Sequence, residues 1–150
     1  MSQSLHVLNT HIIFSTKNRS RSLLPETRPK LFAYMSGILR HLKCELPTVG
    51  GVEDHVHVLC NLTKKLPLMK VLEILKKDSS KWFKAQPGVW PGFQWQAGYG
   101  AFSVSPGHRD ATLRYVLNQE QHHKKESFQD EFRRILKKYA VTYDERYVWD

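Results

Sequence analysis

His55-Val56-His57 and, further along, Tyr115-Val116-Leu117-Asn118-Gln119 are the stretches of this chain whose residue types and spacing could do chemistry. The histidines lie in an apolar, β-branched run after Gly50-Gly51, which reads as a strand entered from a glycine turn. A strand sends residues i and i+2 to one face, their Cα atoms about 6.5–7 Å apart. Both imidazoles can therefore lean on a single cation, and imidazole is the commonest protein metal ligand. Val56, Val58, Cys60 and Leu62 fall on the opposite face as a core stripe. The competing reading of the pair is two solvated histidines on the open side of a sheet.

Residues 110–123 read as a continuous helix, with strong formers and no Gly or Pro. Tyr115 and Gln119 are then one turn apart, about 6 Å at Cβ. A phenol hydroxyl is a potential nucleophile, and an amide oxygen beside it can act as a third metal ligand. Of the six tyrosines only Tyr115 has Gln four residues on; Tyr34, Tyr99, Tyr139 and Tyr143 are followed there by Ile38, Ser103, Tyr143 and Tyr147. The competing reading is a half-buried tyrosine on an amphipathic helix. Asp54 reads as a turn residue that could also orient His55. His122 and His123 read as exposed residues at a basic helix end, although either could approach a metal or a phosphate. His11 is either a core histidine or a contact residue.

The elements that must position these groups follow from periodicity. A strand is expected over 5–15, then a basic loop with Pro25 at its end. A helix over 26–42 carries Leu31, Phe32, Met35, Ile38, Leu39 and Leu42 at helical period. A strand over 44–49 leads into the Gly50-Gly51 turn and the antiparallel histidine strand. A second helix begins near Pro67, with Leu68, Val71, Leu72, Leu75 and Trp82 on one face. A strand or hairpin follows over 95–104, and two helices close the chain, the last capped by Ser127-x-x-Asp130. The order βαββαβ predicts an α+β, ferredoxin-like or RRM-like antiparallel sheet with one or two added C-terminal helices, in one domain spanning 1–150.

The composition fits such a domain, with 41% hydrophobic and 25% charged residues. No apolar run reaches the roughly 20 residues of a membrane span, and the N-terminus lacks the pattern of a secretory signal. Only two cysteines occur, which suits a reduced, cytoplasmic protein. The net charge of +9 comes from 23 Lys and Arg against 14 acids. Clusters at Lys17, Arg19 and Arg21, and at Lys124 and Lys125, are candidate contacts to a nucleic-acid backbone. The seventeen aromatic residues, 11% of the chain, offer stacking platforms for unpaired bases.

Taken together, His55-Val56-His57 on a strand and Tyr115-x-x-x-Gln119 on a later helix resemble the single-tyrosine HUH transposases, the TnpA type of the smallest bacterial insertion sequences. The opening His11-Ile12-Ile13-Phe14-Ser15-Thr16-Lys17-Asn18-Arg19, the run Trp95 to Ser105 and the closing Asp144-Glu145-Arg146-Tyr147-Val148-Trp149-Asp150 are also similar to that family. The resemblance covers essentially the whole chain. It implies Tyr115 as nucleophile and a divalent metal, Mg²⁺ or Mn²⁺, on His55, His57 and Gln119. It further implies cleavage and rejoining of single-stranded DNA at hairpin-marked ends through a 5′-phosphotyrosine link, by a nucleoid-associated homodimer with no nucleotide cofactor. The Tyr115 helix could dock in trans on the partner's histidine strand. Three other readings stay open: a domesticated relative that processes repeated palindromes, a metal-dependent nuclease, and a non-catalytic single-strand-binding module.

Overall fold

The computed structural model describes residues 2–150. Its frame is a four-stranded antiparallel sheet of order β2-β3-β1-β4, made by β1 (Asn9–Ser15), β2 (Glu45–Gly51), β3 (His55–Asn61) and β4 (Gly100–Ser103). Helix α1 (Arg28–His41) joins β1 to β2, and α2 (Leu68–Lys84) joins β3 to β4. The class is thus α+β with the expected ferredoxin-like βαββαβ order. After β4 come α3 (Arg109–Leu117), α4 (Gln119–His122) and α5 (Phe128–Lys138), whose start is capped by the Asp130 amide donating to Ser127 Oγ at 3.2 Å.

Each sheet face is closed by its own helices: alternation along β1 and β3 makes one face apolar and sets Ile13 and Leu59 among histidines on the other. Ile12, Phe14, Val56, Val58 and Cys60 meet Leu31, Met35 and Leu39 of α1 and Val71, Leu72, Leu75 and Phe83 of α2 in the main core. On the other face Phe128, Phe132, Ile135 and Leu136 of α5 pack on Ile13 and Phe102, and Val116 of α3 packs on Leu59 and Val104. Each such side chain contributes about 1.5–3 kcal/mol by leaving water. The face bearing His55 and His57 is therefore covered by the three C-terminal helices, which rules out two solvated histidines on an open sheet.

Several boundaries differ from the pattern-based expectation. The first strand begins at Asn9: Leu5, Val7 and Leu8 are 77%, 65% and 51% exposed, held only by contacts such as the Leu62 amide donating to Leu8 O. Helix α1 starts at Arg28 with Pro29 in its first turn, and Pro25 lies in the preceding turn. Most consequential is Gly50-Gly51, which lies inside β2, while the reversal falls at residues 52–54. Gly50 pairs with His57, and a Cβ there would lie 2.0 Å from the Val116 carbonyl oxygen. The absence of a side chain lets the α3 backbone settle directly on the sheet, bringing neighbouring Tyr115 to the histidine pair.

The expected continuous helix over 110–123 is also broken, at Asn118 (φ −104°, ψ 27°). The Asn118 amide tightens back onto Arg114 O and Tyr115 O, and the Gln119 side-chain amide donates to the Tyr115 carbonyl at 2.9 Å. Neither Gly nor Pro marks the break; a local side-chain bond replaces the helical one there.

Candidate active site

The register of β1 on β3 sets His55 opposite Ser15 and His57 opposite Ile13, both imidazoles fully buried. Their outer nitrogens are engaged. Asp54 Oδ1 accepts from His55 Nδ1 at 2.7 Å, and His57 Nδ1 shares a hydrogen bond of 2.7 Å with His11 Nε2, two residues diagonally along β1. Asp54 is thus both a turn residue and the group that orients His55, and His11 is a buried residue that orients His57. Such partners fix ring orientation and leave both Nε2 atoms facing the same interior point.

At that point stands Glu131 of α5, fully buried. Its Oε1 lies 2.9 Å from His57 Nε2 and 3.4 Å from His55 Nε2, and its Oε2 lies 3.2 Å from His122 Nε2 and 3.3 Å from His123 Nε2. The Tyr115 hydroxyl donates to the same Oε2. Arg134, one turn beyond Glu131, donates from Nη2 to Tyr115 Oη at 3.1 Å and is ion-paired with Glu126 at 3.0 Å. Tyr115 packs against the His57 of its own chain, ring centroids 5.7 Å apart.

Gln119 is buried at the same place, its Oε1 accepting from His123 Nε2 at 2.9 Å, and His123 Nε2 is 3.0 Å from His55 Nε2. His122 and His123 are consequently part of the cluster rather than an exposed helix end. After the break at Asn118 the chain folds back so that His123 Nδ1 bonds to Glu126 O at 2.6 Å. Sequence reasoning missed Glu131 and read Arg134 only as part of a basic cluster, with no part in the site. A signal for the first existed: Glu131 interrupts the apolar stripe Phe128, Phe132, Ile135 of α5, where an acid needs partners.

The electrostatics follow from burial. Burial opposes ionisation of Glu131, but hydrogen bonds from His123, His55 and His57 hold its carboxyl well below the usual carboxylate range. Burial also opposes protonation of His55, and Asp54 and Glu131 outweigh it, raising its pKa. Burial, then the Glu131 charge, push the Tyr115 phenol above its ordinary value. His11 and His57 are held down by burial to about 3 and about 4. Unfolded, both titrate near about 6.5, so below that pH the unfolded chain binds more protons than the fold. Stability should fall between about pH 6.5 and 4, by up to about 1.4 kcal/mol per pH unit for each group while it titrates. The His55 contribution has the opposite sign, complete below about pH 6.5 and lost only as pH rises through its folded pKa. A metal-free unfolding midpoint that stays flat from pH 6.5 to 4 would contradict two neutral buried histidines.

Two clefts meet at Tyr115 and Arg134, which line both. One, of about 1270 Å³, also includes Arg114, Asn118, His122 and Lys125; the other, of about 520 Å³, includes His11, His108, Lys138 and Tyr139. Lys17, Arg21, Lys124 and Lys125 are exposed and Arg19 is half-buried. The two basic clusters flank His55: Thr16 donates its amide to Asp54 O at 2.8 Å, and Lys124 follows His123.

The donors fit a divalent cation. One ligand atom each from His55, His57, His123 and Glu131 lies within 4.8 Å of all the others. A fully buried carboxylate aimed at inward-facing imidazole nitrogens, with the amide oxygen of Gln119 beside them, is a mixed nitrogen and oxygen set suited to Mn²⁺ and, less intrinsically, Mg²⁺. The carboxylate makes the set anionic, where His55, His57 and Gln119 alone would be nearly neutral.

Comparison with known proteins identifies the family. Residues 4–119 match the family model described as "Transposase IS200 like". ISDra2 transposase TnpA of Deinococcus radiodurans is 28% identical over 120 residues, covering 77% of this chain and 86% of that protein. A crystal structure of a candidate transposase from Deinococcus radiodurans R1 superposes with a TM-score of 0.59 at 26% identity, covering 79% of this chain and 98% of the other. The fold is shared too with a REP-associated tyrosine transposase solved on a REP hairpin, at a TM-score of 0.53 and 14% identity over 77% of this chain and 70% of that one. With a family match running from the first strand through the tyrosine helix to Gln119, this chain belongs to the IS200-like transposases.

Proposed function

We propose that this transposase cleaves and rejoins single-stranded DNA at hairpin-marked ends through a 5′-phosphotyrosine intermediate on Tyr115. The observation that carries the reading is the Tyr115 hydroxyl resting on the carboxylate shared with the buried histidine pair, at the junction of two clefts. A divalent metal would be held by His55, His57 and Gln119, with Glu131 and His123 completing the set. When bound it supplies charge stabilisation at the scissile phosphate.

The chain's own residues do the rest. Burial and the Glu131 charge keep the phenol protonated at neutral pH, so attack requires a proton acceptor, and the weakly basic Glu131 carboxylate orients the hydroxyl through Oε2 rather than taking its proton. As the Tyr115 Oη–phosphorus bond forms, the proton passes to solvent in the cleft that Tyr115 lines. The bond from phosphorus to the 3′ oxygen breaks, and that oxygen leaves to become a 3′-hydroxyl with a proton from solvent. Arg134, 3.1 Å from the nucleophilic oxygen, faces the negative charge that builds on the phosphate. The link keeps the energy of the phosphodiester, so rejoining is the same step reversed by another 3′-hydroxyl. Lys17, Arg19, Arg21, Lys124 and Lys125 hold the DNA backbone on either side.

The relative solved on a REP hairpin supports a hairpin ligand. We place the protein in the cytoplasm at the nucleoid; no helix among the described residues is long and apolar enough to cross a membrane. Two ends require two nucleophiles, so we propose a homodimer in which each Tyr115 serves the His57 of its own chain. Incubation with a hairpin-bearing single strand and Mn²⁺, followed by a denaturing gel, separates the readings. A covalent protein–DNA band is the expected result. Cleavage without the band would make the protein a metal-dependent nuclease, and neither event would make it a binding module.

A further inference from the structure

The loop after β1 and the loop before β4 enclose a cleft that the chemistry at Tyr115 does not use. It measures about 420 Å³, and its walls include Lys17, Asn18, Ser22, Trp90, Phe93 and Gln94. Trp90 is 63% exposed, whereas Trp95 nearby is buried in the core at 7%. Its indole is nevertheless held. A Cβ on Gly92 would lie 2.4–2.8 Å from three ring atoms, so one side of the ring rests on bare backbone and the remainder faces solvent. The next residue, Phe93, is anchored between Phe83 and Trp95.

The opposite wall is held in an uncommon conformation. Asn18 and Arg19 both adopt left-handed backbone angles, φ 57° and 52°, which arginine seldom does. The Lys17 amide donates to Gln94 O at 2.8 Å, the Thr16 hydroxyl to Ser20 O at 2.7 Å, and the Thr16 amide to the Asp54 carbonyl at 2.8 Å. These bonds tie the two walls together and fix them to the residue that orients His55. Backbone strain that its surroundings over-determine in this way clusters at binding sites. Among the described residues no carboxylate lines the cleft, and Lys17, Arg19 and Arg21 have no ion-pair partner.

We propose that this cleft receives one unpaired base of the DNA strand, stacked on the indole of Trp90, with the adjoining phosphates on Lys17, Arg19 and Arg21. The inference rests on the reading that the chain acts on single-stranded DNA, and it adds a base subsite at the His55 end of the sheet. A rigid exposed aromatic beside unneutralised cations, without an acid, is the chemistry that takes unpaired nucleotides with little sequence preference. A peptide or a lipid headgroup would use the cations but not the aromatic ledge.

The test compares a DNA hairpin carrying a single-stranded extension with the same hairpin lacking it, by fluorescence anisotropy on the full chain. Trp90→Ala should weaken binding of the extended hairpin at least about 5-fold, the low end for one lost stacking partner, and Trp90→Phe should restore most of it. The blunt hairpin should show no such loss. In the wild-type protein, 2-aminopurine walked along the extension should be quenched at one position. Equal affinity of wild type and Trp90→Ala for the extended hairpin, equal loss on both ligands, or no position-dependent quenching would each overturn the subsite. The readout needs no cleavage: a Trp90 effect without a covalent adduct sinks the proposed chemistry alone, and an adduct without a Trp90 effect sinks the subsite alone.

Discussion

Tyr115→Phe is expected to form no covalent adduct with hairpin DNA and to lose at least about 10³-fold in strand cleavage, since removing the nucleophile forfeits most of the catalytic step. Fold and hairpin binding should survive. The ring remains packed on His57 and His11, and only the hydroxyl contacts to Glu131, Arg134 and His122 go. Stability should change by about 1 kcal/mol, the usual net worth of a hydrogen bond. The measurement is adduct yield on a denaturing gel beside hairpin affinity for both proteins. An adduct of wild-type yield from the Phe variant would remove Tyr115 from the mechanism.

The second large effect is expected at Glu131, because four imidazole Nε2 atoms and the phenol converge on its carboxylate. Glu131→Ala leaves these groups facing one another in a buried space, and breaking such a network typically costs about 3–5 kcal/mol. Glu131→Gln keeps the shape and removes the charge. It should stay folded while binding Mn²⁺ at least about 10-fold more weakly, a loss seen even when a ligand's outer partner is removed. Calorimetric titration with Mn²⁺ and denaturant unfolding of the metal-free protein read the two effects separately. A folded Glu131→Gln variant with wild-type Mn²⁺ affinity would reduce the residue to a structural counter-charge for the histidines.

Much of the site was legible in the sequence because its signals are local. Strand alternation places His55 and His57 on one face and Val56, Val58 and Cys60 on the other, and the structure keeps that division. The Tyr115 and Gln119 spacing survives even though the helix between them breaks, because Gln119 bonds back to the Tyr115 carbonyl. The cap at Ser127 is equally local.

What was not legible depends on how distant segments meet. Gly50 has the composition of a turn, and only the approach of α3 to β2 reveals that it makes room for Val116. His123 follows a basic helix end, and only the fold-back onto α5 turns it inward. Arg134 sits in an ordinary amphipathic pattern, and Glu131 in the apolar stripe signals only that it needs partners; which groups they meet depends on where α5 crosses the histidine face. His11 gains meaning only from the β1–β3 register, which sets it diagonally from His57.

The most direct measurement of the central claim is to locate the DNA on the protein. After reaction with hairpin-bearing single-stranded DNA and Mn²⁺, nuclease trimming and tryptic digestion should release the peptide spanning 115–124, bounded by cleavage after Arg114 and Lys124 and containing a single tyrosine. Mass spectrometry should find the residual nucleotide on Tyr115, joined through a 5′-phosphate. A nucleotide on any other residue, or cleaved DNA with no modified peptide, would contradict the account.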